Sequence, residues 1–168
     1  MTHNSSKIGQ GMIFLAWLIF LALLTFGFNN YLEQQNNPNQ NISTRWDKNV
    51  AEVRLSQNRY GHYLANGQIN QIPVTFILDT GATLISIPES IAQQIHLKKG
   101  LPTQSRTANG TITVYNTRLN SVGIGAIELS NIRATINPHM EGDEILLGMS
   151  FMKHMEITQN GKELMLRY

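Results

Sequence analysis

The chain has 168 residues, of which 42% are hydrophobic and 14% charged, and its net charge is +2. That length holds one domain with a real core but hardly two. So small a charge, without lysine or arginine runs, offers nucleic acid no electrostatic footprint. The absence of cysteine excludes disulfides and thiol catalysis.

Residues 1–11 form a short N-terminal segment. Residues 12–28 read MIFLAWLIFLALLTFGF and carry no charge. Counted from Ile8, the apolar stretch is about 21 residues long, near the ~20 that a helix needs to cross the hydrocarbon layer. No small-x-small cleavage site follows, so the segment reads as an uncleaved transmembrane anchor rather than a signal peptide. Lys7 precedes the span, and the next cation is Arg45. The positive-inside rule therefore puts the N-terminus in the cytoplasm. The rest of the chain is then expected in the periplasm or outside, anchored to the inner (plasma) membrane. The span shows no small-xxx-small stripe for helix pairing.

Residues 29–44 are dominated by asparagine and glutamine, and they read as a flexible polar tether of roughly 22 Å root-mean-square span. Residues 45–168 form the folded domain. Residues 50–55 are a candidate strand. Tyr60, His62 and Leu64 alternate before Asn66-Gly67, a hairpin signal. The return strand ends in Val74-Thr75-Phe76-Ile77-Leu78, and Pro73 puts its start at an edge or bulge. Further Asn-Gly pairs at Asn109-Gly110 and Asn160-Gly161 also predict hairpins, so the domain is mostly β. Two short helices are expected. One covers residues 88–96, opened by Pro88, with Ile87, Ile91 and Ile95 on one face. The other covers residues 149–154.

The chemistry concentrates in FILDTGAT, residues 76–83, where an apolar strand stops at Asp79-Thr80-Gly81. Asp-x-Gly is also ordinary turn chemistry, so context decides. Amide hydrolysis by paired carboxylates needs two acids close enough to share one proton. Each must stand on a rigid strand end. A neighbouring hydroxyl braces the loop, and a glycine lets a backbone N–H reach the carboxylate. Asp79, Thr80 and Gly81 meet those needs in order.

The segment resembles the active-site strand of retropepsin-like aspartic peptidases, in particular their bacterial single-pass membrane branch. The resemblance covers about residues 60–168 and rests on three features. These are the apolar strand with Asp79-Thr80-Gly81-Ala82, the glycine-containing hairpin RTANGTITVY that corresponds to the flap, and Ile145-Leu146-Leu147-Gly148 before a short helix. It implies a retropepsin-like acid-protease barrel, half of a pepsin, behind the N-terminal transmembrane helix. It implies Asp79 as the catalytic aspartate, Thr80 as a brace across a dimer axis and Gly81 as the point of close backbone approach. Ala82, Ala108, Asn109 and Gly110 would contact substrate. With one such motif per chain, the expected enzyme is a homodimeric aspartic endopeptidase acting on peptides or proteins. The flap has fewer glycines than retroviral flaps, and Thr83 stands where an acid is common there.

Two rival readings share the fold: a catalytically silent peptide-binding module and a membrane-anchored assembly factor. His3, His62, His96, His139 and His154 are scattered without ligand spacing, so neither metal nor cofactor is expected. Glu141, Asp143 and Glu144 read as a solvated loop. Ser150 lacks a histidine-aspartate arrangement. Met149, Met152, Met155 and Met165 read as core, and Gly123 and Gly125 as a turn.

Overall fold

The structure, a computed structural model, describes residues 4–107 and 110–168. The chain divides into two compact units, Met1–Gln35 and Asn36–Tyr168.

The first unit is helical. Helix α1 spans Asn4–Asn36, 33 residues, or about 50 Å at 1.5 Å per residue. Its apolar side chains from Met12 to Phe28 are exposed. From Gly9 onward it is long and apolar enough to cross a membrane.

The segment expected as a flexible tether at residues 29–44 is different in the structure. Helix α1 continues through Asn36, because each added residue contributes one more backbone hydrogen bond to an existing helix. Gln35 Nε2 donates to the Tyr31 hydroxyl one turn away, at 2.6 Å. Pro38 then blocks the helix, and the residue before a proline avoids helical backbone. The chain beyond the helix is pinned rather than loose. Asn37 and Asn39 are buried. Asn39 Nδ2 donates to the carbonyls of Ser56 (2.8 Å) and Leu64 (2.6 Å), and its Oδ1 accepts from Ser56 N (2.7 Å). Asn37 Nδ2 donates to Asn66 Oδ1, and Asn58 Nδ2 donates to the Asn36 carbonyl. The amides replace backbone partners that irregular strand ends lack.

The second unit is built from two antiparallel or mixed sheets around one core. Strands β1 (Thr44–Asp47), β2 (Val50–Ser56), β10 (Glu156–Asn160) and β11 (Glu163–Arg167) form a four-stranded sheet in the order β1-β2-β11-β10. Between them lie β3 (Leu64–Ile69), β4 (Ile72–Leu78), β5 (Ile85–Pro88), β6 (Pro102–Thr107), β7 (Gly110–Ile124), β8 (Ile127–Asn137) and β9 (Glu144–Leu147). These seven are ordered β3-β4-β9-β5-β8-β7-β6, and a further β3–β7 pairing curls the sheet towards closure. Val53, Leu55 and Leu166 of the first sheet share one core with Ile69, Phe76, Ile87, Leu147 and Phe151. Short helices α2 (Glu89–Gln94) and α3 (Met149–Met152) complete the domain. Both lie inside the expected ranges, with Pro88 at the α2 N-cap and Ile91 and Ile95 buried.

Asn66-Gly67 is not a turn. It lies inside β3, and the chain reverses at Asn70-Gln71, whose φ angles of 50° and 68° fit a two-residue type I′ hairpin. Gly67 serves packing instead. A Cβ there would lie 2.4 Å from the Gly123 carbonyl and 2.7 Å from the Phe76 ring. Tyr60, in a turn, and His62, in irregular backbone, precede β3 rather than extending it. Pro73 pairs with Gln68 on one side, while the parallel pairing of β4 with β9 starts only at Thr75, so the proline needs no second ladder bond. Asn160 ends β10, and Gly161, at φ 59°, takes the turn. Gly125 occupies the β7–β8 turn, but Gly123 sits inside β7.

Candidate active site

Strand β9 runs between β4 and β5, parallel to β4. The β4–β5 connection must therefore loop around the end of β9, and Asp79 is its first residue. Backbone bonds hold this loop from both sides. Asp79 N donates to the Leu147 carbonyl (3.2 Å), Met149 N to Ala82 (2.8 Å) and Ser150 N to Thr83 (2.9 Å). Gly148 is where the two segments cross. A Cβ there would lie 2.3 Å from the Leu84 carbonyl oxygen and 2.6 Å from that of Ala82. Ser150 is buried, and its Oγ accepts from Ile85 N at 3.1 Å. It therefore braces the loop.

The loop turns tightly enough for its own backbone to reach the carboxylate. Gly81 N donates to Asp79 Oδ1 at 2.8 Å, and a Cβ on Gly81 would crowd that oxygen at 3.1 Å. Asp79 is half-buried. Thr80 is exposed, and its hydroxyl has no hydrogen-bond partner among the described residues.

Above this loop lies a cleft of about 660 Å³. Asp79, Gly81 and Ala82 line its floor, and β6 contributes Thr103 through Thr107. Strands β6 and β7 form the expected hairpin, closing with Thr107 opposite Gly110. Gly110 is exposed at φ 116° and does not line the cleft. Ala108 and Asn109 lie outside the described residues. Sequence reasoning missed Ser86, Asn116, Thr135 and Asn137, which also line the cleft. The last two arrive through the parallel β5–β8 pairing, which no local pattern signals. Among the described residues, no three histidine or carboxylate side chains converge as metal ligands.

The strand–loop–strand crossing, the aspartate at its head and the hairpin over the cleft define a retropepsin-like aspartic peptidase fold. Comparison with known proteins agrees. The chain belongs to the gag-polyprotein putative aspartyl protease family, whose model matches residues 65–154. It is similar to the crystal structure of a retropepsin-like aspartic protease from Rickettsia conorii, at 29% identity and a TM-score of 0.58, covering 76% of this chain and 95% of that one. It also matches an uncharacterised Sinorhizobium protein, at 29% identity over 94% of this chain and 73% of the relative. An uncharacterised Rickettsia prowazekii protein is 30% identical over 74% of this chain and 54% of its own length.

Proposed function

We propose that the chain is a membrane-anchored aspartic endopeptidase that works as a homodimer, with Asp79 from each copy forming the catalytic dyad. The observation that carries this reading is the Asp79 carboxylate at the floor of the cleft, held by Gly81 N at 2.8 Å in a loop braced by Gly148. One Asp-Thr-Gly per chain supplies half a dyad, so a two-fold axis must bring the second. Two carboxyls that close hold one proton between them. The ionised member takes a proton from water as the water attacks the scissile carbonyl. The protonated member donates to the carbonyl oxygen.

Thr80, exposed and without a hydrogen-bond partner among the described residues, is placed in this reading to bond across the axis and brace the two loops. The hairpin around Ala108, Asn109 and Gly110 acts as the flap. Helix α1 is the anchor, with the peptidase domain on the periplasmic or outer face. Confinement to one membrane raises the effective concentration of the two copies and favours their pairing.

The test is a digest of a proteome-derived peptide library by the full-length protein in detergent, beside its Asp79→Asn form. The proposal expects cuts by the first and none by the second. Equal cutting by both would remove Asp79 from the chemistry.

A further inference from the structure

Ligand clefts are mostly lined by apolar and aromatic side chains. This one is not. Among the described lining residues, nine of sixteen carry uncharged polar side chains and four carry aliphatic ones. Only Asp79 and Arg106 are charged. Arg106 stands on the edge strand β6, opposite Thr111 of β7. It is exposed and makes no ion pair among the described residues. Arg54 and Arg167 pair with carboxylates and Arg118 bonds the carbonyl and side chain of Asn131, whereas Arg45 and Arg133, which like Arg106 make no ion pair among the described residues, do not line the cleft.

We propose that Arg106 determines specificity by reading an acidic side chain of the bound peptide, an inference that rests on the peptidase reading. A peptide filling the cleft displaces water from the guanidinium. A guanidinium stripped of water and left unpaired is costly. A substrate glutamate or aspartate satisfies it with a bidentate, charge-assisted pair. A lysine in the same subsite meets a like charge instead. Asp79 cannot fill this role, because pairing it with a cation would withdraw it from proton sharing. In a symmetric dimer a second copy brings a second Arg106, so acidic residues on both sides of the scissile bond are favoured. The competing use of an edge-strand cation is to block strand-to-strand aggregation, and that use carries no substrate bias.

The experiment takes one peptide cut by the full-length protein and varies a single subsite among Glu, Gln and Lys. It compares kcat/KM in the native protein and in Arg106→Glu. Ratios within one preparation cancel the fraction of folded protein. The native enzyme is expected to favour Glu over Gln by about tenfold to a hundredfold and to cut the Lys peptide least. Arg106→Glu is expected to invert the Glu-to-Lys order. Cleavage with the same order in both proteins overturns the specificity assignment and leaves the peptidase reading standing. If the native protein cuts no peptide at all, the peptidase reading falls, and this inference with it.

Discussion

Gly148→Ala probes the crossing that holds Asp79. The new methyl group would sit 2.3 Å from the Leu84 carbonyl oxygen, 2.6 Å from that of Ala82 and 2.7 Å from the Leu84 carbonyl carbon. All three are backbone atoms, so no side chain can swing aside. Normal contact needs the 79–84 loop to retreat by roughly 1 Å. That retreat breaks Met149 N to Ala82 O and Ser150 N to Thr83 O, at about 1 kcal/mol net each. Overpacking adds about 1–3 kcal/mol, for a total of about 3–5 kcal/mol. In a domain of this size that lowers Tm by about 10–20 °C. Gly161→Ala is the reference. Its Cβ meets open space at φ 59°, so it costs only the left-handed backbone penalty of about 1–2 kcal/mol. Thermal unfolding followed by circular dichroism compares the two. If Gly148→Ala melts with the native protein, or above Gly161→Ala, the crossing is looser than these distances require.

Asn39→Ala removes three hydrogen bonds of 2.6–2.8 Å from a buried amide and should cost about 2–4 kcal/mol in urea unfolding. A loose linker there would show no change. Ser150→Ala leaves Ile85 N without its acceptor. It should cost about 1–3 kcal/mol yet retain peptide cleavage, whereas loss of cleavage with an intact fold would point to a chemical role for the hydroxyl. Phe76→Ala empties a fully buried site three residues before Asp79, with an expected loss of about 3–5 kcal/mol by denaturant titration.

The aspartate loop was legible in the sequence because its demands are local. A strand must stop at Asp79, and glycine must come two residues later so that its N–H reaches the carboxylate. The apolar run of helix α1 was legible for the same reason. Asn66-Gly67 misled because Gly67 answers to Phe76 and the Gly123 carbonyl, neighbours that only the tertiary fold supplies. Residues 37–40 misled because asparagine-rich composition suggests disorder. Here Asn37 and Asn39 are buried, and backbone groups find partners in them: Asn37 Oδ1 accepts from Asn39 N, and Asn39 Nδ2 donates to the Leu64 carbonyl. The upper cleft stayed hidden for a third reason. Thr135 and Asn137 reach it through parallel pairing with β5, between strands about fifty residues apart, and such pairings leave no periodic trace.

The measurement closest to the central claim is a subunit-mixing titration. Native and Asp79→Asn chains, unfolded together and refolded at increasing variant fraction, are assayed on one cleavable peptide. If both copies must donate Asp79, activity falls as the square of the native fraction, leaving about one quarter in an equal mixture. A linear fall to about one half would mean that a single chain carries a complete site, contradicting the shared dyad.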